Sequence, residues 1–589
     1  MASEKNRKGP ARAGKTAPAG KTAPAGKTAP AGKTAPAGNS AALGGGSNVV
    51  AQAGILAAAS ILSRIIGLLY RSPLTAIIGD EGNGYYGTAI NIYTIVLMVS
   101  SFGVPSAISK QMAQKMAVGD YKNAQKVFHC SMVYALAVGI AGSLLLYFGA
   151  GALVPPNSVP VLRVFAPTVF LFGILGVLRG YFQANQSMLQ TSVSQILEQI
   201  ANAVVSIGAA VLLMRAAAGM GQTPQAIRGA MGSALGTGSG VLVALVFMVF
   251  VYLKHRGFFM KRVRADQEHR EEAFGPLMKE TILVITPFIL SSFILNLTTS
   301  VNQTIFMKVM IGTRHWEEVM TTTLYGLFSN KAVVITNIPI SIATAVAAAI
   351  LPNISTSFAQ GDIKETRKRS VNAIRMTLII AVPCAVGLMV LAKPVTMLLF
   401  PQWATLDTAS ILLAELAITV VFYSVGTIMN AVLQSIGRIN MPLVSAGIAL
   451  AIQTVVLFIL IMTTDLGVHA LVICSVLYSV LIFLIDSRFI CKYLKIRLRV
   501  FRVYGRPVIA AAVMGVVTRL VYELAFRVGM MAAERTYFMN LVASVVSIAV
   551  AVVVYFYVLI RIGGLRKNDI LQAPKGTKIL GILERIGWM

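Results

Sequence analysis

The stretch AQAGILAAASILSRIIGLLYRSPLTAII, residues 51–78, is 28 residues long and carries only two charged side chains, Arg64 and Arg71. A helix that spans a lipid bilayer needs about 20 predominantly apolar residues, so this stretch predicts a transmembrane helix. Further apolar runs of spanning length follow, and they predict an all-α membrane protein with fourteen transmembrane helices. The predicted spans are 51–78, 86–109, 127–149, 161–182, 191–214, 229–253, 281–307, 322–351, 372–400, 408–435, 441–463, 468–490, 507–527 and 538–560.

Composition excludes a soluble protein. Only 12% of the residues are charged and the mean hydropathy is +0.74, whereas soluble domains carry about 25% charged residues. A soluble chain with so few charges would expose large apolar patches and aggregate. The net charge of +29 is interpreted as contact with anionic lipid and as the positive-inside rule, so membrane lipids are expected partners and nucleic acid is not.

Loop charges predict the orientation of the chain. With the N-terminus placed inside and the spans alternating, 38 Lys and Arg residues fall in inside segments and 7 in outside segments. Cytoplasmic loops carry the excess of Lys and Arg. The sequence therefore predicts a multi-pass protein with both termini in the cytoplasm.

An internal repeat divides the spans. Gly119-Asp120-Tyr121-Lys122 follows the second span, and Gly361-Asp362-Ile363-Lys364 follows the eighth. Spans 1–6 and 7–12 are thus expected to form two six-helix lobes related by a pseudo-two-fold axis along the membrane normal, with spans 13 and 14 added and the substrate site between the lobes. The expected segments are a disordered basic tail (1–48), an N-lobe (49–255), a cytoplasmic linker (256–280), a C-lobe (281–491), the two extra spans (492–560) and a cytoplasmic amphipathic tail (561–589).

Motifs for catalysis, cofactors and metals are not found. The tail repeats Gly-Lys-Thr-Ala-Pro-Ala from Gly14, but its glycines are six residues apart and no strand precedes them, so it does not match a phosphate-binding loop. The four cysteines and five histidines are scattered, without metal-ligand spacing. We expect no enzyme activity, no cofactor and no metal site.

Charged residues deep in the spans are the candidate site. Arg64 lies near the middle of span 1, and Arg71 follows seven residues later on the same helix face. A buried Arg costs about 2.5–3.5 kcal/mol on insertion scales, so each needs water, a partner or a ligand. The hypothesis is that both line a cavity and bind a pyrophosphate. The alternatives are an ion pair with Glu198 or another buried acid for Arg64 and snorkelling to the outer surface for Arg71.

Other polar residues allow two interpretations each. Glu198 in span 5 is either the counter-ion of Arg64 or a proton carrier. Asn296 and Gln303 share a face of span 7 with Thr299, and such residues either join helices or contact cargo. Arg163, Arg179 and Arg519 lie nearer span ends and are interpreted as interfacial, while Glu415 is predicted to be buried without an evident partner.

Several strings in the first half identify a family resemblance. They are Ser63-Arg64-Ile65-Ile66-Gly67, Tyr70-Arg71-Ser72-Pro73-Leu74, Ile78-Gly79-Asp80-Glu81-Gly82, Gly103-Val104-Pro105-Ser106-Ala107-Ile108-Ser109-Lys110, Arg179-Gly180-Tyr181-Phe182-Gln183 and Ser194-Gln195-Ile196-Leu197-Glu198-Gln199. Over residues 50–560, the chain resembles the stage V sporulation protein B-like polysaccharide exporters, which include lipid II flippases of the MurJ type.

The resemblance implies two six-helix lobes plus two helices around a cavity that opens to alternate sides of a bacterial plasma membrane. It implies an undecaprenyl-pyrophosphate-linked cell-wall precursor, above all lipid II, as the cargo. It also implies a cavity cation in span 8, where this chain has Lys331; a snorkelling anchor is the alternative for this residue. Some relatives bind sodium through carboxylates of spans 7 and 11, but residues 281–307 and 441–463 contain none.

Three other functions are compatible with the sequence. The chain could carry another lipid-linked oligosaccharide or polysaccharide unit, or export small drugs by antiport. A cationic-drug antiporter should present an acidic cavity, whereas the deep charges here lean basic. A scaffold that docks cell-wall synthesis enzymes would not need buried charges at all. The protein is expected to be a monomer.

Overall fold

The computed structural model describes residues 45–185, 187–438, 440–495, 505–532 and 536–565, with the single positions 581, 584 and 585. Most of the predicted N-terminal tail and most of the amphipathic C-terminal tail lie outside these residues. The described residues contain helices and connecting turns, without strands. The α-helices are α1 (Gly45–Leu97), α2 (Val104–Ala117), α3 (Tyr121–Leu153), α4 (Val159–Ala184), α5 (Met188–Ala216), α6 (Gln222–Ala265), α7 (Phe274–Met307), α8 (Glu318–Gly326), α9 (Val333–Ala359), α10 (Ile363–Val390), α11 (Ala392–Leu399), α12 (Leu406–Leu416), α13 (Thr419–Ser435), α14 (Asn440–Thr463), α15 (His469–Leu494), α16 (Arg506–Ala532) and α17 (Thr536–Arg561).

The helices follow the predicted apolar runs. The prediction of an all-α membrane protein is confirmed: ten helices of the described residues are long and apolar enough to cross a membrane, or eleven if the bent pair α12 and α13 forms one span. This number is consistent with fourteen spans. The single stretch Leu62–Ala117 contains most of predicted spans 1 and 2, which gives twelve, and the two remaining predicted spans, 7 and 8, correspond to α7 and to α8 with α9. Large apolar side chains stay exposed along the helices, as Phe148 does at 76%, which suits lipid as the surrounding solvent.

Breaks in the helices occur where the sequence weakens them. Gly79 interrupts α1 with φ 71° and ψ 177°, a backbone conformation that glycine adopts far more readily than other residues. Predicted span 8 contains a π-helical segment, Leu327–Ala332, between α8 and α9. A π-helical segment widens the turn and changes the register of the residues around it, so Lys331 does not face where a regular helix would place it.

The sequence repeat has a local structural basis. Gly119 and Gly361 both have positive φ, 85° and 76°. The carboxylate of Asp120 accepts a hydrogen bond from the backbone N–H of Asn123, and Asp362 caps α10 in the same way through Glu365. Each repeat is therefore a glycine turn followed by an aspartate N-cap, which starts α3 in the first half and α10 in the second.

Each half has its own apolar core. In the first half, Phe128, Tyr181 and Phe259 pack within one buried cluster. In the second half, the added helices α16 and α17 contribute to the cluster that holds Ile374 and Leu378 of α10. The hydroxyl of Tyr555 on α17 also donates to the carbonyl oxygen of Ile379 at 2.8 Å, so the two extra helices pack on the second half.

Candidate functional site

The two arginines of span 1 lie on the part of α1 that precedes the break at Gly79. Arg64 is exposed and Arg71 is half-buried. The Nη1 atom of Arg64 donates a hydrogen bond to Ser341 Oγ at 2.7 Å, which joins α1 to α9 of the second half. Within the described parts of the chain, neither arginine lies at ion-pair distance from a carboxylate. Arg64 therefore presents a positive charge between the two halves.

Glu198 is neutralised by a different arginine. Arg179 Nη2 donates to Glu198 Oε2 at 2.8 Å, and Arg179 Nε donates to Ser194 Oγ at 2.9 Å. The Arg179 side chain is only 8% exposed, so it is buried within the protein, while its predicted interfacial depth in the membrane stays a prediction. The alternative of an Arg64–Glu198 ion pair is not what the structure shows. Arg179 and Glu198 lie on the consecutive helices α4 and α5, and the carboxylate of Glu198 is paired with Arg179.

A buried ion pair joins the halves at the end of the bundle where α1 breaks. Lys331 is 1% exposed, and its Nζ atom lies 2.5 Å from Asp80 Oδ1. Thr405 Oγ1 donates to Asp80 Oδ2 and contacts Lys331 Nζ at 3.4 Å. In this structure Lys331 neither lines an open cavity nor snorkels, because Asp80 holds its ammonium group. Asp80 was not among the predicted site residues, although it directly follows Gly79 in one of the family strings.

The ion pair belongs to a wider closure of this end. Asn330 Nδ2 donates to the carbonyl oxygen of Asn83 at 2.8 Å. Gly84 lies so close to α8 that a Cβ atom built on it would be 2.5 Å from Thr322 O, and one built on Gly326 would be 2.7 Å from the Cα atom of Gly84. The two halves thus meet backbone to backbone here, and we call this set of contacts the glycine seam.

Gln303, a predicted site residue of span 7, is buried between helices. Gln303 is 2% exposed, and its Nε2 atom donates to the carbonyl oxygen of Thr88 at 2.8 Å. Gln303 therefore joins α7 to α1, which is the helix-joining alternative, rather than facing open space. Asn296 lies within α7, but its side chain is outside the part of the structure that is described.

In the second half, the carboxylate of Glu415 differs from its prediction, and that of Asp486 was not among the predicted site residues. Glu415 is exposed rather than buried, and its Oε2 atom lies 2.9 Å from His469 Nδ1. Asp486 of α15 is fully buried and accepts a hydrogen bond from Ser445 of α14. Asp486 falls inside predicted span 12, so its depth alone could have singled it out as Glu198 was singled out.

The pairing of Arg179 with Glu198 gives a stability prediction. We expect Glu198→Ala to lower the free energy of unfolding by about 3–5 kcal/mol, because it leaves a buried guanidinium without its carboxylate. The double change Arg179→Leu with Glu198→Ala should recover much of this loss, since no unpaired charge then remains. Melting temperatures of the purified variants measure both effects. Equal melting temperatures for Glu198→Ala and the unmodified protein would contradict the prediction.

Comparison with known proteins confirms the resemblance. A family model described as MatE matches residues 330–459. The chain is 24% identical over 537 residues to "Lipid II flippase MurJ" of Bacillus subtilis (strain 168), covering 86% of this chain and 94% of that protein. It is 24% identical to "Stage V sporulation protein B" of the same organism over 451 residues, covering 74% of this chain and 83% of that protein.

A solved structure also supports the fold. The structure titled "Lipid II flippase MurJ, inward closed conformation" superposes with a TM-score of 0.61 at 14% identity, covering 85% of this chain and 97% of that one. At that identity the likeness concerns the fold alone. The family assignment comes from a model described as polysaccharide biosynthesis protein, which matches residues 49–358 and thus more than half of the sequence; the chain belongs to the polysaccharide biosynthesis protein family.

Proposed function

We propose that the chain is a flippase that moves an undecaprenyl-pyrophosphate-linked cell-wall precursor, lipid II, from the inner to the outer leaflet of the bacterial plasma membrane. The observation that carries the proposal is the charge of the site. Arg64 and Arg71 have no carboxylate at ion-pair distance among the described residues. Glu198 is paired with Arg179, and Asp80 is paired with Lys331. Two unpaired guanidinium groups deep in a membrane protein favour an anionic ligand.

The chemistry of a pyrophosphate fits these two residues. The guanidinium group presents several N–H donors in a planar fork that binds phosphate oxygens in pairs. Arg64 is exposed, and among the described residues its hydrogen bond goes to a hydroxyl group, that of Ser341, so binding a phosphate would not require a described ion pair to break. Residues 64 and 71 are seven apart on one helix face, which places them about 10 Å apart along the axis, within reach of one extended lipid-linked headgroup.

Alternating access is supported by the closed end of the bundle. The glycine seam and the Asp80–Lys331 pair close the end that the loop charges assign to the outside, with both termini in the cytoplasm. Cargo would enter from the cytoplasmic side, and opening of the seam would release it outside. The transport involves no bond-making chemistry, and it needs membrane lipid and the lipid-linked precursor as partners.

Relatives of the chain support a lipid-linked cargo. Two of them carry names that refer to lipid II transport and to sporulation, and the family model refers to polysaccharide biosynthesis. A drug antiporter for cations is disfavoured because the exposed charge on α1 is positive. A carrier of a different lipid-linked glycan shares the same charge requirement, so the experiment must compare cargoes directly.

The test is transport by purified protein in vesicles. We expect proteoliposomes to move fluorescent lipid II across the bilayer faster than protein-free vesicles, and faster than they move an undecaprenyl-pyrophosphate disaccharide without the peptide. Depletion in cells should lead to lipid II accumulating in the inner leaflet. Transport of the disaccharide lipid alone would identify the alternative glycan carrier, and transport of a cationic dye without either lipid would overturn the proposal.

A further inference from the structure

The segment between α6 and α7 folds onto the turn that starts α3. Asp266 caps the end of α6, and its Oδ2 atom accepts a hydrogen bond from the backbone N–H of Lys122 at 3.2 Å. The side chain of Asn123 accepts from the N–H of Glu272 at 2.9 Å and donates to the carbonyl oxygen of Arg270 at 3.1 Å. The linker is therefore held on the first half by a dense set of hydrogen bonds.

Three side chains with metal-binding donors meet at this contact. Asp120, Asp266 and His269 each offer one ligand atom, and these atoms all lie within 4.8 Å of one another. Asp120 and Asp266 are 6% and 8% exposed, whereas the His269 side chain is 31% exposed. We propose that Asp120, Asp266 and His269 form a binding site for one divalent transition-metal ion, with Zn²⁺ as its representative.

The donor set suits such an ion. Imidazole nitrogen and carboxylate oxygen bind Zn²⁺ at about 2.0–2.2 Å, and three protein ligands plus water complete a four-coordinate site. The ligand atoms already lie within 4.8 Å of one another, and an ion would replace the hydrogen bond between Asp266 Oδ1 and His269 Nδ1, which are 2.8 Å apart, with a bond from each atom to the metal. His269 lies on the short connection between α6 and α7, which can supply the small movement that this exchange needs, and its exposed edge leaves room for the water.

The two carboxylates are already oriented. The backbone N–H and the side-chain amide of Asn123 donate to Asp120 at 3.1 and 2.9 Å. Asp266 accepts hydrogen bonds from the backbone N–H groups of Lys122 and His269, both at 3.2 Å. Hydrogen bonds of this kind orient metal ligands and are part of most metal sites. A bound cation would also offset the charge of two carboxylates placed together with little access to water.

The second half of the protein provides an internal comparison. Asp362 caps α10 as Asp120 caps α3, but Asp362 is exposed, and it is not part of any such donor group among the described residues. Capping alone therefore requires neither the burial nor the partners that Asp120 has. The extra donors come from the linker, which connects the two halves in sequence, and a metal ion would hold the linker to the first half.

Metal content and thermal stability test the proposal. The full-length protein, purified in detergent with a tag free of histidine, would be treated with EDTA, dialysed and equilibrated with ZnCl₂. We expect one retained Zn²⁺ per chain and a melting temperature that rises with added ZnCl₂. His269→Gln and Asp266→Asn should each lower the affinity for Zn²⁺ by at least tenfold and remove the shift in melting temperature.

Two matched variants serve as controls. Asp362→Asn alters the equivalent cap of the second half, and His255→Gln removes a histidine on the cytoplasmic end of α6; both should retain the ion. Equal binding by His269→Gln and the unmodified protein would show adventitious binding and overturn the site. A loss of stability in His269→Gln that is the same with and without ZnCl₂, together with no retained ion in the unmodified protein, would show that the three residues form a hydrogen-bonded contact only.

Discussion

Lys331→Ala is expected to lower the free energy of unfolding by about 3–5 kcal/mol, because removing one partner of a buried ion pair leaves the other charge without compensation. The Lys331 ammonium group is almost fully buried against Asp80 and Thr405. Thermal unfolding of the purified protein should therefore begin at a distinctly lower temperature than for the unmodified protein, and transport should fall with the amount of folded protein.

A double change separates the charge from the packing. Lys331→Met with Asp80→Asn removes both charges and keeps similar volumes, and replacements of this kind are often neutral or stabilising. We expect the double variant to regain most of the melting temperature. Lys393→Ala is a suitable control, since Lys393 pairs with Asp407 at 2.5 Å while its side chain is 60% exposed. A melting temperature of Lys331→Ala equal to that of this control would contradict the expectation.

The second large effect concerns transport rather than stability. Arg64→Ala should slow lipid II transport by about ten- to a hundredfold, in line with the 1.5–3 kcal/mol of hydrogen bonds to charged groups. Stability should change little, because Arg64 is exposed and its described hydrogen bond goes to Ser341 alone. Arg64→Lys should also be impaired, since an ammonium group cannot copy the paired donors of a guanidinium. The measurement is initial transport rate in proteoliposomes, normalised to folded protein.

Controls for Arg64 follow from its neighbours. Ser341→Ala removes the described hydrogen-bond partner of Arg64 and should transport at close to the unmodified rate if the arginine acts on cargo. Arg163→Ala removes another exposed arginine, which contacts the ring of Tyr147, and should also be near normal. Because Glu198 forms its ion pair with Arg179, adding Glu198→Ala should not restore transport to the Arg64→Ala variant. Recovery in that double variant would show that Arg64 acts through an ion pair.

The sequence predicted the helices well because apolar length is a local property. Each described span lies within one or two helices, and the Gly-Asp repeat marked both N-caps. The ion pairs were not predictable in this way. Lys331 reaches Asp80 only because the two halves pack together and a π-helical segment turns its side chain. Arg179 was assigned to an interface by its distance from the span end, but the packing of α4 against α5 buries it.

The proposed metal ligands could not be predicted from the sequence for a similar reason. Asp120 directly precedes α3 and Asp266 directly follows α6, and Asp266 lies 144 positions after Lys122, whose N–H it contacts. Motif spacing detects ligands that are close in the chain. Ligands brought together by a linker that returns to an earlier turn require the tertiary structure.

The glycine seam also makes one state of the protein unusually intolerant of added volume. At Gly84 and Gly326 the opposing atoms are backbone atoms, which cannot rotate aside as a side chain can. A single methyl group there would force the helices apart, whereas the open state that the proposed alternating access requires would have room for it. Alanine at either position is thus expected to favour that open state, in which a bound cargo could be imaged on its way out.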